Sequence, residues 1–314
     1  MKINRGRRAL KGAFVATAVA VAAATAAGTA FATGAPVGPG RAVAEAKNEF
    51  QPESTARVGA FDAQDEILDA PIFVMNGIHK RTGEYHLFGP NGTGGFDASL
   101  NFGPAEPGTV DVIDLDLDQD NLADGSWTLF KNGTLRFDGI IGEEFVQKQV
   151  GKGWNIYPTV FSPGSIGGAA QYDLLAIDTA GTLWSYLSYP DGRLTARTKV
   201  GGGWTIYNQV AGLGDLTGDG KADVVARDKA GVLWLYKGTG NYKAPFTART
   251  QIGGGWNTFD RILSTGDLDI DGKSDLIARK SNGELYRYSG TGSAAAPFAK
   301  AVKIGTGFQN FNLL

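Results

Sequence analysis

The sequence predicts an all-β fold, a β-propeller of five four-stranded blades in which the C-terminal strand closes the first blade. Three observations carry this expectation. The 314 residues include 46 Gly, about twice the usual ~7%, without the every-third-residue period of collagen. A marker of an apolar residue, Gly, a spacer, Gly and an aromatic recurs as Val150-Gly151-Lys152-Gly153-Trp154, Val200-Gly201-Gly202-Gly203-Trp204, Ile252-Gly253-Gly254-Gly255-Trp256 and Ile304-Gly305-Thr306-Gly307-Phe308, with a weaker copy at Phe102-Gly103. Its first glycines, at 103, 151, 201, 253 and 305, are 48, 50, 52 and 52 residues apart. A period near 50 filled with short alternating stretches is what blades of a propeller produce.

Each unit divides into four strands by period-two alternation and turn residues. The first follows the marker, as over 204–210. The second is an apolar run at 173–177, 223–227 and 275–279. A tight turn comes next at Thr82-Gly83, Asn132-Gly133, Ala180-Gly181, Ala230-Gly231 and Asn282-Gly283. Asn-Gly favours a two-residue type I′ hairpin. The third strand is Leu183-Trp184-Ser185-Tyr186, Leu233-Trp234-Leu235-Tyr236 or Leu285-Tyr286-Arg287-Tyr288, and the fourth lies at 194–200, 246–252 and 298–304. The first unit starts around 72–76 without a marker strand before it, whereas the last ends with a surplus one, 307–314. Pairing the surplus strand with the incomplete blade hides two sheet edges. A four-bladed ring with an irregular N-terminal unit is the alternative.

The N-terminus reads differently. Lys2, Arg5, Arg7, Arg8 and Lys11 precede an Ala/Val-rich stretch over 13–27, and Ala30-Phe31-Ala32 is an A-x-A cleavage signal. Residues 1–32 are therefore expected to be a signal peptide, with a membrane anchor as the alternative, and the protein to be secreted. Arg7-Arg8 loosely resembles a twin-arginine export signal, with the general secretory route as the alternative. Residues 33–60 read as a flexible linker or N-terminal arm and 61–314 as the propeller. After cleavage no segment approaches a membrane span. Removing five of the 30 basic residues and no acidic one leaves 25 against 32, a net charge of −7, which argues against nucleic acid as a partner. The absence of Cys excludes disulfides and thiolate metal sites, and two histidines, His79 and His86, leave little for imidazole chemistry. These histidines flank the Thr82-Gly83 turn and are expected to face solvent.

Three second strands are preceded by acidic nonapeptides. They are Asp116-Leu117-Asp118-Gln119-Asp120-Asn121-Leu122-Ala123-Asp124, Asp215-Leu216-Thr217-Gly218-Asp219-Gly220-Lys221-Ala222-Asp223 and Asp267-Leu268-Asp269-Ile270-Asp271-Gly272-Lys273-Ser274-Asp275. Oxygen-bearing side chains stand at positions 1, 3, 5 and 9, and position 7 (Leu122, Lys221, Lys273) offers its carbonyl. Alternate side chains then converge on one ion, as in the first half of an EF-hand loop. The expectation is structural Ca2+ at all three. The third unit keeps only Asp173, and the first has no clear equivalent.

Asp-x-Thr-Gly-Asp-Gly-x-x-Asp before an apolar strand resembles the FG-GAP/VCBS repeat, whose members form calcium-binding β-propellers, integrin heads among them. The resemblance spans about 60–314 and is closest in units two, four and five. The Gly-Gly-Gly-Trp marker and the fivefold count also resemble tachylectin-type five-bladed lectins. Both resemblances imply a secreted binding protein. Secreted propellers of this kind are frequent in filamentous actinobacteria, where some serve as lectin subunits of umbrella-type antibacterial toxin particles.

No His-Glu-x-x-His, Gly-x-Ser-x-Gly or phosphate loop is present, so no enzyme is expected and no catalytic residue is assigned. The acidic spacing is that of ion loops rather than of a glycosidase pair. Trp184, Trp234 and Tyr286, at one place in the third strand, are the candidate ligand-binding residues, with packing between blades as the alternative. Flat aromatics beside amides and carboxylates suit pyranose rings, and repeated clefts give avidity. The resulting expectation is a calcium-stabilised module binding glycans or another cell-surface ligand, alone or as the targeting subunit of a secreted toxin complex. The competing reading is an adaptor that docks a protein partner in an extracellular complex.

Overall fold

The computed structural model describes residues 68–142 and 144–314; the expected signal peptide and the arm over 33–60 lie outside them. Blade one holds β1 (Met75–His79), β2 (Glu84–Phe88) and β3 (Leu100–Pro104), and blade two β4 (Thr109–Leu115), β5 (Gly125–Phe130), β6 (Leu135–Ile141) and β7 (Glu144–Gly151). Blade three is β8 (Thr159–Gly164), β9 (Asp173–Ile177), β10 (Leu183–Tyr186) and β11 (Thr198–Gly201). Blade four is β12 (Tyr207–Ala211), β13 (Val224–Asp228), β14 (Leu233–Tyr236) and β15 (Thr250–Gly253). Blade five is β16 (Arg261–Gly266), β17 (Asp275–Arg279), β18 (Leu285–Tyr288) and β19 (Val302–Gly305), and β20 (Phe311–Leu313) follows. The chain is a five-bladed β-propeller of antiparallel four-stranded sheets, with β20 completing the sheet β20-β1-β2-β3.

Closure has the register Gly77↔Leu313, Ile78↔Asn312 and His79↔Phe311. The amide of Leu314 also donates to the Asn76 carbonyl at 3.1 Å. Leu313 is buried beside Met75 and Phe88, and the Phe311 ring meets Phe88 edge-on at 5.1 Å. The four-bladed alternative is thereby excluded. His86 departs from the expected solvent position. Its side chain is only 13% exposed and packs edge-on against Phe311 at 5.1 Å, because the closing strand covers the hairpin that carries it.

The marker itself forms a tighter structure than a continuous strand. Gly153, Gly203, Gly255 and Gly307 adopt φ of 74°, 91°, 85° and 89°, a left-handed conformation that glycine reaches without steric cost. One 3-10 turn follows each, at Trp154–Ile156, Trp204–Ile206, Trp256–Thr258 and Phe308–Asn310. The aromatic amide then donates to the preceding hairpin glycine: Trp154 to Gly133 at 3.0 Å, Trp204 to Gly181 at 3.0 Å, Trp256 to Gly231 at 2.9 Å and Phe308 to Gly283 at 3.2 Å. A Cβ on Gly181 would lie 2.6 Å from Thr205. Marker and hairpin therefore form one joint that locks each blade to the next. Trp154, Trp204 and Trp256 are buried, 4.6–4.8 Å from Tyr186, Tyr236 and Tyr288, so they pack the joint.

Two local expectations are corrected. The Asn-Gly turns are three-residue loops rather than type I′ pairs. Gly133 N–H donates to the Phe130 carbonyl at 2.8 Å and Phe130 N–H to Thr134 at 2.9 Å. Only the glycine is left-handed, and the Asn132 side chain accepts the Thr134 amide at 2.9 Å, so a type I turn precedes a glycine bulge. The outer strands also start late: Leu194, Phe246 and Phe298 make only single bridges, to Ser188, Gly238 and Gly290, before β11, β15 and β19 begin.

Candidate metal loops and aromatic clefts

The acidic nonapeptides lie between the first and second strands of blades two, four and five, where each chain must reverse tightly. Positions 4 and 6 are left-handed in all three. Glycine serves at Gly218, Gly220 and Gly272, with φ of 80°, 77° and 83°, but Gln119, Asn121 and Ile270 take the same conformation at 72°, 69° and 59°. The position-1 carboxylates organise these turns by accepting backbone amides. Asp116 accepts from Asp118, Gln119 and Asn121 at 3.1, 2.6 and 2.9 Å. Asp215 accepts from Thr217, Gly218 and Gly220 at 2.8, 2.8 and 2.6 Å, and Asp267 from Asp271 and Gly272 at 3.1 and 2.7 Å. The position-5 carboxylates hold position 7 in place: Asp120 accepts from Leu122 at 2.7 Å, Asp219 from Lys221 at 3.2 Å and Asp271 from Lys273 at 3.1 Å.

Carboxylate clustering differs among the loops. Among the described residues, Asp116, Asp118 and Asp120 come within 4.8 Å of one another, as do Asp267, Asp269 and Asp275. In blade four Thr217 replaces the middle acid, and Lys237 Nζ approaches Asp219 at 3.3 Å. In blade five Asp269 Oδ1 is buried with no hydrogen-bond partner among the described residues, while its Oδ2 pairs with the Arg287 guanidinium at 2.8 Å. Burial and neighbouring carboxylates push Asp116 and Asp267 up to about 6. All-oxygen donors, a partnerless buried carboxylate oxygen and mutual repulsion fit a hard divalent cation. Blade two fits it best, since among the described residues no Lys or Arg pairs with its acids.

The ninth position has a second role. Asp223 accepts the Leu216 amide at 3.0 Å and the Gly238 amide at 2.7 Å. Asp275 does the same with Leu268 at 3.1 Å and Gly290 at 2.9 Å. Asp173 of blade three, where the other acids are missing, keeps both bonds, to Ile166 at 3.0 Å and Ser188 at 3.1 Å. This residue staples three segments of its blade whether or not the rest of the acidic loop is present. In blade two Asp124 accepts from Leu117 at 2.6 Å.

Burial pushes Asp173 up to about 7 from an ordinary 3.8. A carboxyl whose folded value lies above its unfolded value takes up a proton on folding between the two, so stability declines as pH rises through that window. Asp114, near 7, and Asp111, near 6, both raised chiefly by burial, act in the same direction. In chelator the melting temperature should fall between about pH 4.5 and 7.5, and Asp173→Asn should flatten the slope. A flat or rising wild-type profile contradicts this.

Trp184 and Trp234 are half-buried on β10 and β14, each within a constellation that recurs. Trp184 Nε1 donates to Asp178 at 2.9 Å, and the exposed Arg197 guanidinium lies 4.1 Å over its ring. Trp234 Nε1 donates to Asp228 at 2.8 Å, and Arg249 lies 4.0 Å over it. Arg197 also donates to the Tyr157 hydroxyl at 2.9 Å, and Arg249 to that of Tyr207. In blade five Tyr286 replaces tryptophan and takes Lys280 instead, 4.6 Å over its ring, with its hydroxyl on Glu284 at 3.1 Å. Blades one and two carry His86 and Arg136 at this place, three residues after the hairpin glycine. The arginines were missed in the sequence, although the repeated Thr-Ala-Arg-Thr at 195–198 and 247–250 would have pointed to them.

Residues 215–278 match the FG-GAP-like repeat family, a segment that runs from the blade-four acidic loop into the second strand of blade five. No curated protein matches the chain. Among solved structures, human WBSCR16 is 12% identical over 71% of this chain and 64% of that one, with a TM-score of 0.32. Prp20p from Saccharomyces cerevisiae is 12% identical over 72% and 60%, TM-score 0.33. The WD40 domain of SCAP from fission yeast is 8% identical over 77% and 57%, TM-score 0.33. The chain spans less than two thirds of each of these structures. The chain's own five sheets make it a β-propeller, and the FG-GAP-like match lies within its fourth and fifth blades. Among the described residues no helix is long and apolar enough to cross a membrane.

Proposed function

We propose that the chain is a secreted, calcium-stabilised binding module that recognises glycans or another hydroxyl-rich cell-surface ligand and performs no chemistry, either alone or as the targeting subunit of a secreted toxin complex. One observation supports this above the others: the Trp–Arg–Asp constellation occurs at equivalent places in blades three and four, with Trp184, Arg197 and Asp178 in one and Trp234, Arg249 and Asp228 in the other. The stacked guanidinium takes one face of each indole, so a sugar meets the arginine edge and the rim of the aromatic rather than an open ring. Each guanidinium is anchored by one tyrosine hydroxyl, and the side chain is exposed, so its other donors suit vicinal hydroxyls. Weak sites repeated on one rigid ring combine through avidity. The acidic loops would hold calcium through Asp116, Asp118, Asp120 and Asp124, through Asp215, Thr217, Asp219 and Asp223, and through Asp267, Asp269, Asp271 and Asp275, with the carbonyls of Leu122, Lys221 and Lys273. The ion would neutralise the clustered charge and stiffen the turns.

A docking reading has its own support. Ile156 and Ile206, two residues after successive marker tryptophans, are 46% and 41% exposed, which places apolar side chains at matching points of adjacent joints. Such a pair suits a protein partner.

Purified protein presented to bacterial and eukaryotic glycan panels, with calcium and with chelator, tests the two. Saturable binding competed by free sugar is expected, and replacing both Arg197 and Arg249 by Ala should weaken it by about tenfold or more. A folded, metal-loaded protein that binds no glycan overturns the sugar reading and favours a protein partner, to be sought in the native secretome.

A further inference from the structure

The first strands of the blades face one another around the axis, β4 against β8, β8 against β12 and β12 against β16, and enclose a cavity of about 270 Å³. Most of its polar groups are spoken for. Gln209 bridges to blade five through the Asp260 carbonyl and the Ile262 amide, and Ser264 donates to the Asp275 carbonyl. Among the described residues, three of the others stand out. Arg261 Nε is buried without a hydrogen-bond partner, as is the Thr265 hydroxyl. Asp111 accepts only from the adjacent Val112 amide at 3.0 Å.

Arg261 and Asp111 stand at the same depth, since their cross-strand partners Arg279 and Leu129 each lie four residues before a hairpin glycine. They come from blades five and two, which are not neighbours. The guanidinium charge reaches Asp111 electrostatically, yet among the described residues Arg261 makes no ion pair within 4.0 Å. Asp114, three residues further along β4, lines the same cavity, and its Oδ2 accepts from Asn76 Nδ2 at 2.8 Å. Asn76 is itself fixed by the Tyr85 hydroxyl at 2.7 Å, so the second carboxylate is held rigidly with one oxygen uncommitted. An interior cation and two interior carboxylates that do not reach each other are costly in a bare channel. A molecule carrying both charges would satisfy them together.

We propose that the axial channel binds a small zwitterion, with its carboxylate on Arg261 and its ammonium at Asp111 and Asp114. The channel is too small for a glycan chain and is built from different residues than the Trp–Arg clefts, so it is a second, independent site. Paired charge-assisted hydrogen bonds at both ends would give selectivity for the spacing between the ligand's charged groups.

The test is calorimetry on the purified protein in chelator with glycine, β-alanine, 4-aminobutyrate and 6-aminohexanoate, beside butylamine and butyrate as single-charge controls. Saturable binding is expected for one zwitterion length and not for either control. Arg261→Gln and Asp114→Asn should each weaken it by about tenfold or more. Arg261→Gln should melt no lower than wild type, because it removes a buried nitrogen without a partner, and so separates lost binding from lost folding. Thr265→Val, which only deletes an unpaired hydroxyl, serves as a second folded variant and should weaken binding less. The proposal is overturned if no zwitterion binds the wild type, if butylamine or butyrate binds as well, or if neither charge-neutralising variant changes the affinity.

Discussion

A chain ending at Thr306 should fail to form a stable propeller. The truncation removes β20, its three register pairs with β1 and the Leu314–Asn76 backbone bond. Buried Leu313 and half-buried Phe308 and Phe311 go with it. At about 1.5–3 kcal/mol per large apolar side chain, the loss is a large part of the about 5–15 kcal/mol that holds a domain folded. It also uncovers Met75 and Phe88 and leaves β1 as an open edge, which invites association between chains. The expected result is loss of cooperative melting or aggregation, read by circular dichroism and light scattering, with recovery when a peptide of residues 306–314 is supplied in trans. A truncated chain melting cooperatively at the wild-type temperature would show that closure by β20 is dispensable.

Calcium should raise the melting temperature by about 5–10 °C. One site at a hundredfold excess over its dissociation constant contributes about 2.7 kcal/mol, and in a domain of this size each kcal/mol shifts melting by about 2–4 °C. Asp118→Ala is the discriminating variant. Among the described residues Asp118 accepts only the Asp120 amide, at 3.2 Å, so its loss perturbs the metal-free turn far less than loss of Asp116, which organises it. Asp118→Ala should halve the calcium response or more while leaving melting in chelator within about 0.5 kcal/mol of wild type. Asp269→Asn should do less, because Arg287 already shares the Asp269 carboxylate at 2.8 Å, and Arg287→Gln should strengthen metal binding in blade five. Equal melting with calcium and chelator, together with no bound metal by elemental analysis, would reduce the loops to hydrogen-bonded turns.

Much of this architecture is written locally. The spacing of Gly-x-Gly-Trp sets the number of blades, because a left-handed glycine followed by a buried aromatic is a short-range event. The surplus marker at Gly307-Phe308 announces the closing strand. The acidic loops are legible for the same reason, since Asp116, Asp215 and Asp267 fold the turns with their own side chains on amides two to five residues ahead. Within those limits the residues specify both the turn and its carboxylates.

What lies across the fold is different. The repeated Thr-Ala-Arg-Thr marks Arg197 and Arg249 without showing that they cover Trp184 and Trp234, or that a lysine from a different position does so for Tyr286. Spacing alone assigns three equal acidic loops, whereas Arg287 and Lys237 make them unequal by bringing cations from neighbouring strands. His79 and His86 look like the exposed flanks of a hairpin until β20, more than 220 residues further along, lays Phe311 over them. The axial channel is the extreme case, for Asp111, Asp114 and Arg261 share no motif and line one cavity only because strands of several blades converge on the axis. Periodicity and turn chemistry act over a few residues and could be read from the chain. Which charges face each other depends on ring closure, and only the tertiary structure decided it.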